Sequence, residues 1–177
     1  MMLNKLFVFF LSLTLIGCSS VQVADYENNE PKLELTEFFN GKLTAHGVLK
    51  NYSGKVTRRF NATIDASWDD GGIGTLDEHF EFDDGEIQTR VWTLTPTGND
   101  EYTATAGDVV GSGQASVSGN ALFLDYVLRI PYNDGTLDVR IDDRMYLIND
   151  TTLINESVMI KFGVQVAEIV LVILKVE

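Results

Sequence analysis

From Gly41 to its C-terminus the chain alternates apolar and polar residues with the period of a strand buried on one face. The pattern is clearest in LDEHFEFDDGEIQTRVWTL, Leu76 to Leu94, where two alternating runs flank Asp83-Asp84-Gly85. A short loop ending in Gly fits a hairpin whose last loop residue needs a positive φ. Folding the runs back across it sets Phe82 opposite Glu86, Phe80 opposite Gln88, Glu78 opposite Arg90 and Leu76 opposite Trp92. One face then carries Leu76, Phe80, Phe82, Trp92 and Leu94, with Glu78 and Arg90 set among them.

The same period recurs on either side. Lys55 to Trp68 places Val56, Arg58, Phe60, Ala62, Ile64, Ala66 and Trp68 on one parity, after a first strand from Gly41 to Lys50. Tyr102 to Gly107 reads as a strand, and the Gly- and Ser-rich Gly107 to Asn120 as bulges or a short weak one. Ala121 to Ile130 sets Leu122, Leu124, Tyr126, Leu128 and Ile130 on one side. After a four-residue loop at Tyr132-Asn133-Asp134-Gly135, Thr136 to Ile148 sets Leu137, Val139, Ile141, Asp143, Met145 and Leu147 on the matching side. Thr152 to Phe162 alternates less cleanly, and VQVAEIVLVILKV is apolar on both parities, which predicts a strand covered on both faces.

Only Leu33 to Asn40 shows a helical period, with Leu35, Phe38 and Phe39 on one stripe and Gly41 as the stop, a short helix suited to plugging one end of the fold. Roughly nine or ten strands joined by short loops make an antiparallel meander. The expected fold is therefore all-β, a meander closing into a lipocalin-like β-barrel with one short N-terminal helix; a β-sandwich is the alternative.

The N-terminus changes the expected address. MMLNKLFVFFLSLTLIGCSS has a lysine, a short apolar run and small residues, the build of a secretory signal rather than a membrane-spanning helix. Leu15-Ile16-Gly17-Cys18 has the form of a bacterial lipobox, and Cys18 is the only cysteine of the chain. The expected organisation is a signal peptide over 1–17, a lipidated tether over 18–31 and a β-barrel domain over 32–177. Cys18 is the expected lipid anchor, and Ser19 after it favours the outer membrane, facing the periplasm. Ser19 to Pro31 lacks periodicity, and as an extended tether it would reach up to ~40 Å.

Against 13 basic residues stand 26 acidic ones, a net charge of −13, which repels nucleic acid and anionic headgroups. With one cysteine no disulfide forms within the chain, so stability rests on packing.

Several stretches carry a family resemblance: FFNGKLTAHG (38–47), SGKVTRRF (53–60), GTLDEHFEFDDGE (74–86), RVW (90–92), DVVG (108–111), DDRMY (142–146), IN (154–155) and KFG (161–163). Spread over nearly the whole chain after the signal, they resemble a family of Gram-negative lipoproteins catalogued as domain of unknown function 3833. The resemblance implies a lipoprotein and no particular activity. The family pattern has an aromatic residue where this chain has Arg144.

Candidate chemistry is sparse. His46 and His79 are far apart, and neither a nucleophile elbow, a phosphate loop nor a metal-ligand spacing is present. Asp69-Asp70 and Asp83-Asp84 precede glycines and serve turns. No catalytic residue, metal or cofactor is expected. The charges of inward parity, Arg58, Glu78, Arg90 and Asp143, together with Trp92 and Tyr126, form the candidate pocket or buried charge network. Either the four charges satisfy one another, or an arginine is left to grip an anionic group in an apolar cavity. The expected function is a lipoprotein binding a lipid-like or other small apolar ligand without chemistry. The alternatives are an envelope scaffold with a filled barrel, meeting a protein partner through Ile169, Leu171 and Ile173 if these face outward, and a hydrolase or isomerase acting on a lipid.

Overall fold

The computed structural model describes residues 20–98 and 100–176; the expected signal peptide and Cys18 lie outside them. Among the described residues ten strands follow one another: β1 (Gly41–Asn51), β2 (Val56–Trp68), β3 (Gly74–Phe82), β4 (Ile87–Gly98), β5 (Glu101–Thr105), β6 (Gly113–Ser118), β7 (Ala121–Tyr132), β8 (Gly135–Asn149), β9 (Thr152–Lys161) and β10 (Val164–Lys175). Each pairs antiparallel with its neighbours in sequence, and β1 pairs with β10 from Leu43↔Lys175 to Asn51↔Ala167, so the sheet closes into a barrel. Closure leaves one continuous interior, which excludes the sandwich.

The register follows from burial, because a slip of one residue would turn every apolar side chain outward. In the β3–β4 hairpin Phe80 faces Gln88, Glu78 faces Arg90 and Leu76 faces Trp92, with Gly85 at φ +87° in the turn, as the pattern predicts. The interior is filled from alternate positions: Leu43 and Ala45 on β1, Ala62 and Ile64 on β2, Leu122 and Leu124 on β7, Val139 and Ile141 on β8 are all buried. Cross-strand ion pairs such as Lys42–Asp65 and Arg129–Asp138, both at 2.7 Å, decorate the outer face. Exposed as they are, they set pairing preference more than stability.

A short helix, α1 (Leu35–Phe38), closes one end of the barrel. Leu33, Leu35, Phe38 and Phe39 are buried there. Trp68 Nε1 donates to the Phe39 carbonyl at 2.8 Å, and Lys175 Nζ donates to the Glu37 carbonyl at 2.6 Å, tying the plug to β2 and β10. The opposite end, where β3 meets β4 and β7 meets β8 in hairpin turns, is the mouth.

Two expectations are corrected. The segment read as an extended tether holds, from Ser20 on, a turn of 3-10 helix at Val23–Tyr26. The Tyr26 ring packs against Phe123 and Tyr146, at centroid distances of 5.8 and 5.3 Å, and the Leu33 amide donates to the Gly119 carbonyl at 2.8 Å. The Tyr26 ring finds a half-buried aromatic surface and holds the chain against the barrel wall, so its reach is shorter than a free tether's. The last strand is likewise not covered on both sides. Ile169, Leu171 and Ile173 line the interior, so they do not form an outward patch; Val170, Val172 and Leu174 take the outer face and are only half-buried.

The wall is tight where β1 lacks a side chain. A Cβ at Gly47 would lie 2.5 Å from the Phe60 ring and 2.7 Å from Leu171 Cβ, so the missing side chain makes room for that ring in the interior. Gly47→Ala is expected to destabilise the barrel by ~1–3 kcal/mol, the usual cost of overpacking, read as a lower urea midpoint with unchanged slope.

Candidate functional site

Between the plug and the mouth the barrel retains a cavity of about 130 Å³. Most of its wall is apolar, including Leu76, Trp92, Leu94, Leu122, Leu124 and Met145. Phe60, Phe80 and Phe82 pack edge to face or stacked near the mouth, with centroids 5.6–6.3 Å apart. One side is polar and gathers Glu78 from β3, Arg90 from β4, Tyr126 from β7, Asp143 from β8, and Asn155 and Ser157 from β9.

The sequence-predicted residues Glu78, Arg90, Trp92, Tyr126 and Asp143 thus meet around one space. Trp92 and Tyr126 pack edge to face at 5.2 Å and 87°. Arg58 does not join them. It has the inward parity but sits near the start of β2, and its guanidinium lies 3.8 Å above the Phe82 ring, donating to Asp84 at 2.7 Å and Glu86 at 2.9 Å in the hairpin at the mouth. Parity selects a face of the sheet but not a depth along the barrel.

The four inward charges therefore do not satisfy one another. Arg90 spends two of its nitrogens on Asp108, with Nε at 3.1 Å from both carboxylate oxygens and Nη2 at 2.7 Å from Oδ2. Its remaining Nη1 comes only to 4.0 Å from Glu78 Oε2, which is buried and has no hydrogen-bond partner. Asp143, 6% exposed, accepts from Asn155 Nδ2 and, at 2.8 Å, from Ser157 Oγ, both neutral donors. Asp108, Asn155 and Ser157 were missed from sequence. Asp108 lies in the loop between β5 and β6, within a stretch too rich in Gly to show parity, whereas Asn155 and Ser157 share parity with buried Leu153 and Met159 and were legible as polar residues on an inner face.

The electrostatics follow from this pairing. Burial pushes Glu78 up to about 7, with Arg90 pulling it down and Asp143 adding to the rise. Burial also carries Asp143 up to about 6 against the hydrogen bonds from Asn155 and Ser157. Burial raises the Tyr126 hydroxyl well above its usual range, and Asp143 adds to that, so it remains a neutral donor. Burial opposes the charge on Arg90, but the Asp108 hydrogen bonds, with the charges of Glu78 and Asp108, more than restore it. Among the described residues no group of His, Cys, Asp or Glu is placed to hold a metal ion, and no helix is long and apolar enough to cross a membrane.

A carboxyl whose folded pKa lies above its unfolded value of 4.5 binds more protons in the native state between the two values, so it lowers stability as pH rises through that window. The wild-type protein is therefore expected to lose stability relative to Glu78→Gln between about pH 4.5 and about pH 7, by on the order of 3 kcal/mol in full. Urea unfolding of both proteins at about pH 5 and about pH 8 measures this. A pH-independent difference would show that the Glu78 environment is not as described.

Comparison with solved structures places the fold beside an S-type phycobiliprotein lyase from Guillardia theta, with a TM-score of 0.62 and 11% identity over 89% of this chain and 99% of that one. A protein of unknown function from the DUF3598 family of Nostoc punctiforme is similar at a TM-score of 0.59 and 16% identity, over 82% of this chain and 50% of that one. At such identities the likeness is one of fold, a lipocalin-like barrel. No curated protein matches in sequence. The family is fixed by a match extending over residues 12–175, nearly the whole chain and every strand of the barrel: this protein belongs to the family described as protein of unknown function DUF3833.

Proposed function

We propose that this protein is a lipid-anchored carrier of the outer membrane, facing the periplasm, that binds a small apolar or lipid-like molecule in its barrel without transforming it. The observation that carries the reading is the cavity, apolar over most of its wall and polar on one side. That is how ligand pockets combine burial with orientation. The volume limits what enters: about 130 Å³ is close to the ~150 Å³ of an apolar cavity that admits one benzene ring. A single ring or a short stretch of acyl chain fits within it, and a larger ligand would extend past Phe60 and Phe80 toward the mouth. The likeness to a phycobiliprotein lyase supports a barrel able to hold a small molecule.

Cys18, by its lipobox setting, is the residue we assign to the anchor. It lies two positions before Ser20, close to the segment that docks Tyr26 on the barrel wall. The anchored barrel would then ride near the bilayer rather than at the end of a long leash. The same small volume favours one rival, a filled barrel serving as an envelope scaffold.

Two measurements separate the readings. Native mass spectrometry of the full-length protein from detergent is expected to show a co-purifying small molecule. Toluene is expected to bind saturably and raise Tm, and Met145→Trp, which fills the cavity, to abolish that binding in a protein that still folds. Neither adduct nor saturable toluene binding would leave the scaffold. For the anchor, Cys18→Ser is expected to end labelling by palmitate and release the protein from membranes; unchanged labelling would remove Cys18 from that role.

A further inference from the structure

We propose that the ligand of this cavity carries a protonated amine, held by Glu78 and Asp143, on an apolar body of about one ring. The inference rests on the carrier reading above and names the chemistry of what is carried. Two carboxylates, Glu78 and Asp143, line the polar wall with one guanidinium, Arg90, and a third, Asp108, is bonded to that guanidinium from outside the lining. Arg90 is bound by Asp108 through two nitrogens, so Glu78 keeps only a long ion pair with Nη1 at 4.0 Å, and Asp143 has no ion pair among the described residues. Glu78 Oε2 is shut off from water with nothing bonded to it, and Asp143 is 6% exposed with only amide and hydroxyl donors. A site with three carboxylates to one guanidinium is complementary to a cation that also has apolar surface to bury.

The same geometry argues against an anionic ligand. A carboxylate or phosphate would find only Nη1 of Arg90 uncommitted and would have to approach Glu78 and Asp143 to reach it. A neutral ligand would leave both acids to persist by taking up protons. An ammonium group instead supplies charge-assisted hydrogen bonds, roughly twice as strong as neutral ones. The rings of Trp92 and Tyr126, both lining the cavity, add faces that attract a cation.

Binding of such a ligand is coupled to pH through the groups around it. Arg90 and Trp92 on β4, Tyr126 on β7, Asp143 on β8 and Asp108 in the β5–β6 loop face Glu78; Asn155 and Ser157 on β9, with Arg90 and Asp142, surround Asp143. Protons on the two acids compete with the amine, so affinity rises with pH until both are ionised. It falls only when the amine itself loses its charge.

The test uses the full-length protein in non-ionic detergent and three probes of nearly one shape: benzylamine, benzyl alcohol and benzoate. Titration calorimetry, with Met145→Trp as the control for uptake into micelles, reads the affinity. At about pH 8 benzylamine is expected to bind about tenfold or more tighter than benzyl alcohol, with benzoate weakest, since one charge-assisted bond exceeds a neutral one by about that factor. The preference is expected to shrink by about tenfold at about pH 5 and to be lost in Glu78→Gln and in Asp143→Asn. Equal binding of amine and alcohol, or a preference for benzoate, would overturn the amine inference while leaving the carrier reading in place. Saturable binding of none of the three, nor of toluene, would overturn both.

Discussion

The ion pair between Arg90 and Asp108 is the contact on which the site depends. β5 and β6 are short, so β5 pairs with β4 only from Thr93 onward and β6 pairs with β7 only as far as Asp125. Toward the mouth, Ile87 to Trp92 on β4 and Tyr126 to Tyr132 on β7 have no paired strand on that side among the described residues, apart from a single bridge between Leu128 and Val109. The β5–β6 loop fills the gap. It bonds to β7 through Val110 N to Val127 O and Arg129 N to Asp108 O, both at 2.8 Å, and reaches β4 through the bidentate contact from Arg90 to Asp108. A partly buried, bidentate arginine is expensive to leave unpaired, so the loop is held across the opening. The same commitment leaves Glu78 only the 4.0 Å contact with Nη1 and leaves Asp143 to neutral donors. Wall closure and an acid-rich interior are therefore two results of one bond.

Closure of the barrel was legible because period-two alternation is a strong signal and short turns leave a meander few alternatives. The hairpin over Leu76–Leu94 shows the logic: Gly85 supplies the positive φ, the apolar face sets the register, and Glu78 falls opposite Arg90. Alternation does not report depth. Arg58 and Glu78 are both of inward parity, yet one sits at the mouth with the hairpin acids and the other behind the aromatic collar. Alternation also fails where both parities are apolar. On β10 either assignment fits the composition, and only pairing with β1 and β9 decides that Ile169, Leu171 and Ile173 look inward.

What was least legible came from residues outside any period. Asp108 lies between glycines in a connecting loop, and nothing local distinguishes it from a turn residue; its role arises from β4, far away in sequence. Tyr26 lies in a polar run that reads as a tether because its partners, Phe123 and Tyr146, are on the outer faces of β7 and β8. Arg144 belongs to the same patch. Its guanidinium lies 4.7 Å from the Phe123 ring and its Nε donates to Asp142 at 2.9 Å, so a flat cation covers the aromatic surface.

A barrel selected only to be stable would not be built this way. Replacing buried charges with apolar groups of similar volume is commonly neutral or stabilising, and the inner positions of Glu78 and Asp143 are surrounded by the leucines and aromatics such a replacement would join. Filling 130 Å³ of empty space with larger side chains at the several alanines of the inner face, Ala45, Ala62 and Ala115 among them, would gain dispersion contacts as well. The chain instead keeps small residues, a void, and two acids whose nearest cation is already bonded elsewhere. Each of these costs stability when the barrel is empty, and all three costs fall when a compact cation with an apolar body occupies it. Departures from the most stable core that coincide in one place and are relieved by one kind of guest are better explained by function than by three independent accidents of packing.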